Sequence, residues 1–159
     1  MEIRYRPIGV IHSPFKEIEG MPIQPAGAVD VRGVVEVFPE FVKGLKDLEG
    51  FSHIILVYHF HRVKGHRLEV KPFLDEKLRG VFATRAPMRP NPIGLSVVKL
   101  VWVEGRILEV EGVDVLDGTP LLDIKPYVPE FDVYEVERVG WLERVRKEVR
   151  RRKSDGRFR

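Results

Sequence analysis

Arg85, Arg89 and Asn91 stand within one stretch, Gly80–Ser96, of sequence GVFATRAPMRPNPIGLS. Three prolines fix φ there, and the residue before each is driven to an extended conformation. Ala86, Arg89 and Asn91 are therefore held extended, and Gly94 releases the constraint. A stiff loop that presents two guanidinium groups and an amide suits an anionic or planar ligand. A second constellation is Asp114-Val115-Leu116-Asp117-Gly118-Thr119-Pro120, two acids three apart at an Asp-Gly turn. Such an acid can accept both hydroxyls of a ribose or orient an amine, and it can equally cap its own turn. The strand-like run after it carries Asp123 and Lys125 on one face and ends in Pro126-Tyr127.

Other candidates carry weaker signals. His53, His59 and His61 include a pair two apart on a strand face, but no neighbouring acid or cysteine completes a zinc spacing. Structural or ligand-contact roles are favoured over metal for them. Gln24-Pro25-Ala26-Gly27 is a second stiff turn. The chain lacks a GxGxxG fingerprint and a GxxxxGK[ST] loop, and none of its six serines and threonines sits in a nucleophile elbow.

The elements that must position these groups are mostly strands. Period-two alternation marks Ile3–His12, Ala28–Phe38, Phe51–Phe60, Gly80–Thr84, Leu95–Val103, Ile107–Val115 and Pro120–Tyr127. Gly105-Arg106 reads as a tight hairpin. A short helix is expected over Pro39–Leu48, and a second over Val139–Lys153, where Trp141, Leu142, Val145 and Val149 recur at helical spacing. The expected fold is mainly β: a single-domain antiparallel β-barrel of about seven strands with a short helix and a C-terminal helix. The barrel is expected over residues 1–137, and a basic helix and tail over 138–159.

At 159 residues, with 43% hydrophobic and 32% charged residues, the chain is long enough for a sizeable core. It has no cysteine, which excludes disulfides and thiolate metal sites. Neither a membrane-length apolar run nor a signal-peptide layout is present, so a cytoplasmic protein is expected. The net charge of +3 is unevenly spread. Residues Arg138–Arg159 hold ten basic and three acidic residues, while the remainder holds 17 and 21. The tail either meets nucleic-acid phosphates, with counterion release, or is a solvated helix end.

GVFATRAPMRPNPIGLS followed by GVDVLDGTPLLDIKPYVP resembles the TsaA-like (YaeB/TrmO) family. IGVIHSPFKE and LEGFSHIILVYHFHR are similar to further family blocks in the same order, so the resemblance covers roughly Ile8 to Pro129. It implies a β-barrel that methylates N6 of threonylcarbamoyl-adenosine beside the anticodon of threonine tRNA. The implied methyl donor is S-adenosylmethionine, bound near the interface of a homodimer. By the same resemblance, donor contacts fall on Gln24, Pro25 and Ala26, on His61 and Arg62, on Arg85, on Leu95, and on Asp114, Val115, Leu116 and Asp117. Arg85 suits the donor's carboxylate through paired hydrogen bonds. Asp117, Lys125 and Tyr127 are the candidates for orienting or deprotonating the acceptor nitrogen. Arg89 and Asn91 are the candidates for the threonyl carboxylate or anticodon phosphates, or they brace their own loop. A non-catalytic RNA- or nucleotide-binding barrel and a methyltransferase with another acceptor are the competing expectations.

Overall fold

Alternating Val, Ile and Leu with polar residues gives each strand one dry face, and those faces must be buried together. In the computed structural model, which describes residues 1–18 and 30–145, six strands do this by closing on themselves. They are β1 (Gly9–His12), β2 (Arg32–Val37), β3 (His53–His59), β6 (Ile93–Glu104), β7 (Ile107–Glu111) and β8 (Thr119–Pro126). The barrel order is β1-β2-β7-β6-β3-β8, and every pairing is antiparallel. Closure leaves no edge for another chain to extend.

The interior is filled from all six strands. Ile11, Val35, Val37, Ile54, Leu56, Val98, Leu108, Val110 and Leu121 are buried and form one cluster. Val35 lies opposite Ile11 on one side and Leu108 on the other, so the register brings branched side chains into the same layer. Near one end of the β3–β6 ladder the lining changes. Tyr58 faces Gly94, and Ser96, facing Leu56, follows two residues along β6.

Two further strands, β4 (Glu69–Val70) and β5 (Arg79–Gly80), pair outside the barrel. They explain why the barrel has six strands and not about seven. Gly80–Thr84, expected as a strand, leaves β5 and folds into a 3-10 turn at Val81–Ala83. The Thr84 hydroxyl donates to Val81 O at 2.9 Å and accepts from the Ala86 N–H at 3.2 Å, which closes that turn. Val81, Ala86 and Met88 then bury with Val70 in a second, smaller core.

Other boundaries also differ, for local reasons. β7 stops at Glu111 instead of reaching Val115 because Gly112 takes φ +97°, a conformation that a β ladder does not use. Pairing of the first strand begins at Gly9 and not Ile3, after Pro7, which has no N–H to give. The helix expected at Pro39–Leu48 is two 3-10 turns, Pro39–Leu45 and Leu48–Gly50, broken by Asp47 at φ +70°. A short α1 (Pro129–Asp132) follows β8. At the C-terminus Gly140–Arg144 is a 3-10 turn, and the rest of the helix expected to Lys153 lies outside the described residues. Gly105, at φ +59°, makes the hairpin between β6 and β7. Among the described residues no helix is long and apolar enough to cross a membrane.

Candidate active site

The proline-rich loop over the end of the barrel is held in shape by its own arginine. Arg89 Nη1 donates to the carbonyls of Val81, Thr84 and Ala86 at 3.1, 2.8 and 3.1 Å. Arg89 therefore braces the turn, and the loop keeps a second guanidinium outward. Arg85 is exposed and makes no hydrogen bond among the described residues, yet its charge acts on Tyr58 and Asp114. Asn91 is exposed beside the loop, its carbonyl accepting from Ile93 N–H at 2.7 Å.

Beneath Arg85 lies a buried polar series. Ser96 Oγ donates to Asp114 Oδ1 at 2.6 Å, and the Tyr58 hydroxyl lies 2.9 Å from Ser96 Oγ. Gly94 makes this possible. A Cβ there would come within 2.6 Å of the Tyr58 and Phe60 rings, which meet edge to face with centroids 5.5 Å apart. Burial pushes the Asp114 carboxyl up to about 7, against the opposing pull of Ser96, its own backbone N–H and Arg85. Burial, with the Asp114 charge, raises the Tyr58 phenol well above its ordinary range, so it stays protonated and serves as a donor. His61 is moved the other way: partial burial, then Arg62 and His59, lower it.

Tyr58, Asp114, Arg85 and His61 open onto a cavity of about 690 Å³, within the range of small-molecule sites. Barrel residues Tyr58, Phe60, Gly94, Leu95 and Thr119 line one side, with Asp114, Val115 and Leu116. Loop residues 82–87, Arg89, and Val63, Pro72, Phe73 and Leu74 line the other, and His61 and Arg62 also contribute. Trp141 and Leu142 complete the wall from the C-terminal side. Trp141 is fastened there by Nε1–H donating to Ala83 O at 2.8 Å and by the Arg79 guanidinium 5.9 Å from its ring centroid.

Of the residues singled out from the sequence, the fold brings His61, Arg62, Arg85, Arg89, Leu95, Asp114, Val115 and Leu116 around this cavity. Asp117 turns away from it. Its Oδ2 accepts from Lys16 Nζ at 2.7 Å and its Oδ1 from Ser13 N–H at 3.0 Å. Those contacts, Lys16 first, hold its carboxyl below the usual range. Lys125 is exposed near the other end of β8, paired with Asp123 at 2.9 Å, and Tyr127 packs edge-on against His53. Neither lines the cavity, and Asn91 does not. Gln24, Pro25 and Ala26 lie outside the described residues. Among the described residues no three His, Cys, Asp or Glu side chains converge as a metal site.

Tyr58, Ser96 and Trp141 are the parts of the site that the sequence reading missed. The inward phase of Tyr58 and Ser96 was visible in the alternation, but not that their hydroxyls meet. Trp141, expected on a helix face, instead sits in a 3-10 turn and bonds to the loop.

The cavity offers several kinds of contact to a ligand. It combines apolar walls, an unpaired exposed cation, a buried carboxyl, and the backbone of residues 114–116. A family model described as the tRNA-methyltransferase O N-terminal domain matches residues 10–133. A probable S-adenosyl-L-methionine-binding protein of Pyrococcus abyssi is 64% identical over 156 residues, covering 98% of this chain and 85% of that protein. The human tRNA (adenine(37)-N6)-methyltransferase is 40% identical over 134 residues, 79% of this chain but 30% of that protein. The crystal structure of TrmO from Pseudomonas aeruginosa superposes with a TM-score of 0.75 at 43% identity. It covers 89% of this chain, and this chain spans 63% of that one.

Proposed function

The chain belongs to the tRNA-methyltransferase O family, and from that premise we propose that it transfers a methyl group from S-adenosylmethionine to N6 of adenine 37 in tRNA. The finer part of the proposal is the acceptor: threonylcarbamoyl-adenosine in threonine tRNA. The observation that carries the donor assignment is that exposed Arg85 and buried Asp114 line one largely apolar cavity. Arg85 would hold the donor's carboxylate by paired hydrogen bonds, and the apolar side chains of Leu95, Val115 and Leu116 would flank its flat base. When bound, the donor supplies an electrophilic methyl group on a cationic sulfur. The chain's part is to orient it, to keep water from it with apolar walls, and to place a carboxyl near positive charge.

The threonylcarbamoyl reading is supported by chemistry. N6 conjugated to a carbamoyl group is a poor nucleophile with a more acidic N–H, so it needs alignment and a nearby proton acceptor. Asp114, held near neutrality and facing the cavity, meets the second need better than Asp117, Lys125 or Tyr127 within one chain. A homodimer is part of the proposal. Phe82 and Leu95 border the cavity yet are 76% and 56% exposed, which suits cover by a second copy.

Calorimetric titration with S-adenosylmethionine tests the donor, and Arg85→Ala is expected to weaken binding about tenfold while the fold survives. Absence of binding by the wild-type chain would sink the methyltransferase reading. Labelled methyl transfer to threonine tRNA, with and without the threonylcarbamoyl group, tests the acceptor. Equal transfer to both would remove the finer assignment and keep the enzyme class. Light scattering on the purified chain checks the dimer.

A further inference from the structure

The buried series Tyr58–Ser96–Asp114 is more than a barrel end needs for stability. A hydroxyl, a hydroxyl and a carboxyl lie in line where apolar side chains would pack more cheaply. The directions of its hydrogen bonds follow from proton counting. An ionised carboxylate only accepts, so the one proton of Ser96 goes to Asp114 Oδ1. Ser96 Oγ must then accept from Tyr58, the remaining hydroxyl. Each donor is buried, and Gly94 leaves the room in which the Tyr58 ring sits.

We propose that Tyr58 and Ser96 are positioning residues that hold Asp114 as an anionic wall of the cavity, and that this wall makes the site favour a cationic ligand over its neutral counterpart. The inference rests on the reading of this cavity as the methyl-donor site. The neutral counterpart of a sulfonium donor is the thioether left after its methyl has gone, S-adenosylhomocysteine. The two share base, ribose, amine and carboxylate, and differ in one methyl group and one positive charge. A carboxylate facing the cavity therefore separates donor from spent donor by charge, and product leaves more readily than donor.

Other charges around the cavity do not duplicate this role. Arg85, on the loop, is a cation, and Arg89 is committed to three backbone carbonyls. His61 and Arg62 line the cavity beyond the end of β3 and are neutral or positive. Tyr58 stays protonated. Asp117 is held by Lys16. Among the described lining residues Asp114 is the one acid.

The test compares affinities of the full chain for S-adenosylmethionine and S-adenosylhomocysteine by calorimetry from about pH 5.5 to about pH 8.5. The shared parts of the ligands largely cancel in the ratio, and Asp114→Asn separates the carboxyl from His61 and Arg85, whose positive charge also acts on the cationic ligand. The wild-type preference for the cationic ligand is expected to rise about tenfold across that range, following the Asp114 carboxyl resonance in the free chain. Asp114→Asn is expected to give a flat ratio. Tyr58→Phe, which keeps the ring, and Ser96→Ala each remove stabilisation of the carboxylate. Both should move the carboxyl titration and the rise in preference about one pH unit upward. A flat wild-type ratio, or a rise that survives Asp114→Asn, overturns the inference with the donor reading intact. Tyr58→Phe and Ser96→Ala titrating like wild type overturns their positioning role. Binding of neither ligand overturns the donor reading and this inference with it.

Discussion

Asp114 and Asp117 stand three residues apart at one turn, and their carboxyls are held by opposite means. Asp114 is 9% exposed, with Ser96 and its own N–H as its hydrogen-bonding support, and burial raises it to about 7. Asp117 is partly exposed and takes a lysine ammonium and a backbone N–H, which lower it. One faces the cavity; the other ties residues 13–16 to the turn before β8, helped by Ser13 Oγ donating to Val115 O at 2.6 Å. Identical side chains thus become a cavity wall and a fastener. Surroundings decide which, through desolvation on one side of the turn and charge pairing on the other.

The largest expected effect comes from breaking the Asp114 side. Gly94→Ala places a methyl group 2.6 Å from two aromatic rings and should cost about 2 kcal/mol in denaturant unfolding. Donor affinity should fall with it, because Tyr58 must move. Full affinity with normal stability would show that the hydroxyl series is dispensable.

Asp114→Asn sharpens the contrast through pH. The folded carboxyl keeps its proton to about pH 7 and the unfolded one only to the ordinary value of 3.8, so folding takes up a proton between these values. Stability from this group is therefore complete below 3.8 and lost as pH rises through 7. The neutral amide should raise the melting temperature at pH 8 by several degrees and leave it nearly unchanged at pH 4. A variant less stable at pH 8 would contradict the burial argument.

Asp117→Asn has the opposite sign and a smaller size. Its contribution is present above the ordinary carboxylate range and lost as pH falls below it. With Lys16 69% exposed, solvent screening limits the loss at pH 7 to about 1 kcal/mol, reduced further in high salt. The smallest effect is expected at Lys125, whose pairing with Asp123 is exposed. Lys125→Ala should leave donor affinity unchanged in calorimetry, and a tenfold loss would bring β8's far end into the site.

Much of the frame was legible because sustained alternation puts every second side chain on one face of a strand. Ile11, Val35, Leu56, Leu108 and Leu121 fall on one phase of their strands, and closing the sheet buries that phase. The stiffness of Gly80–Ser96 was legible too, since proline acts on its own backbone wherever it stands. The loop's charges were only half legible. Arg85 stayed available at the cavity, whereas Arg89 turned inward onto three carbonyls that its neighbours' turn had left pointing at it. The strand expected at Gly80–Thr84 failed because a Thr84 hydroxyl bond outcompeted ladder pairing.

The sequence by itself determined the barrel class, the rigid loop, and the set of acids and arginines available to a ligand, because periodicity and proline geometry are local. Tertiary structure alone decided which of those groups share a cavity. The Tyr58–Ser96 contact spans 38 positions, Ser96–Asp114 spans 18, and Trp141 reaches Ala83 across 58. Meetings of that kind depend on strand register and barrel closure, and so does the burial that separates Asp114 from Asp117. Desolvation is a property of everything packed around a group, and no spacing along the chain contains it.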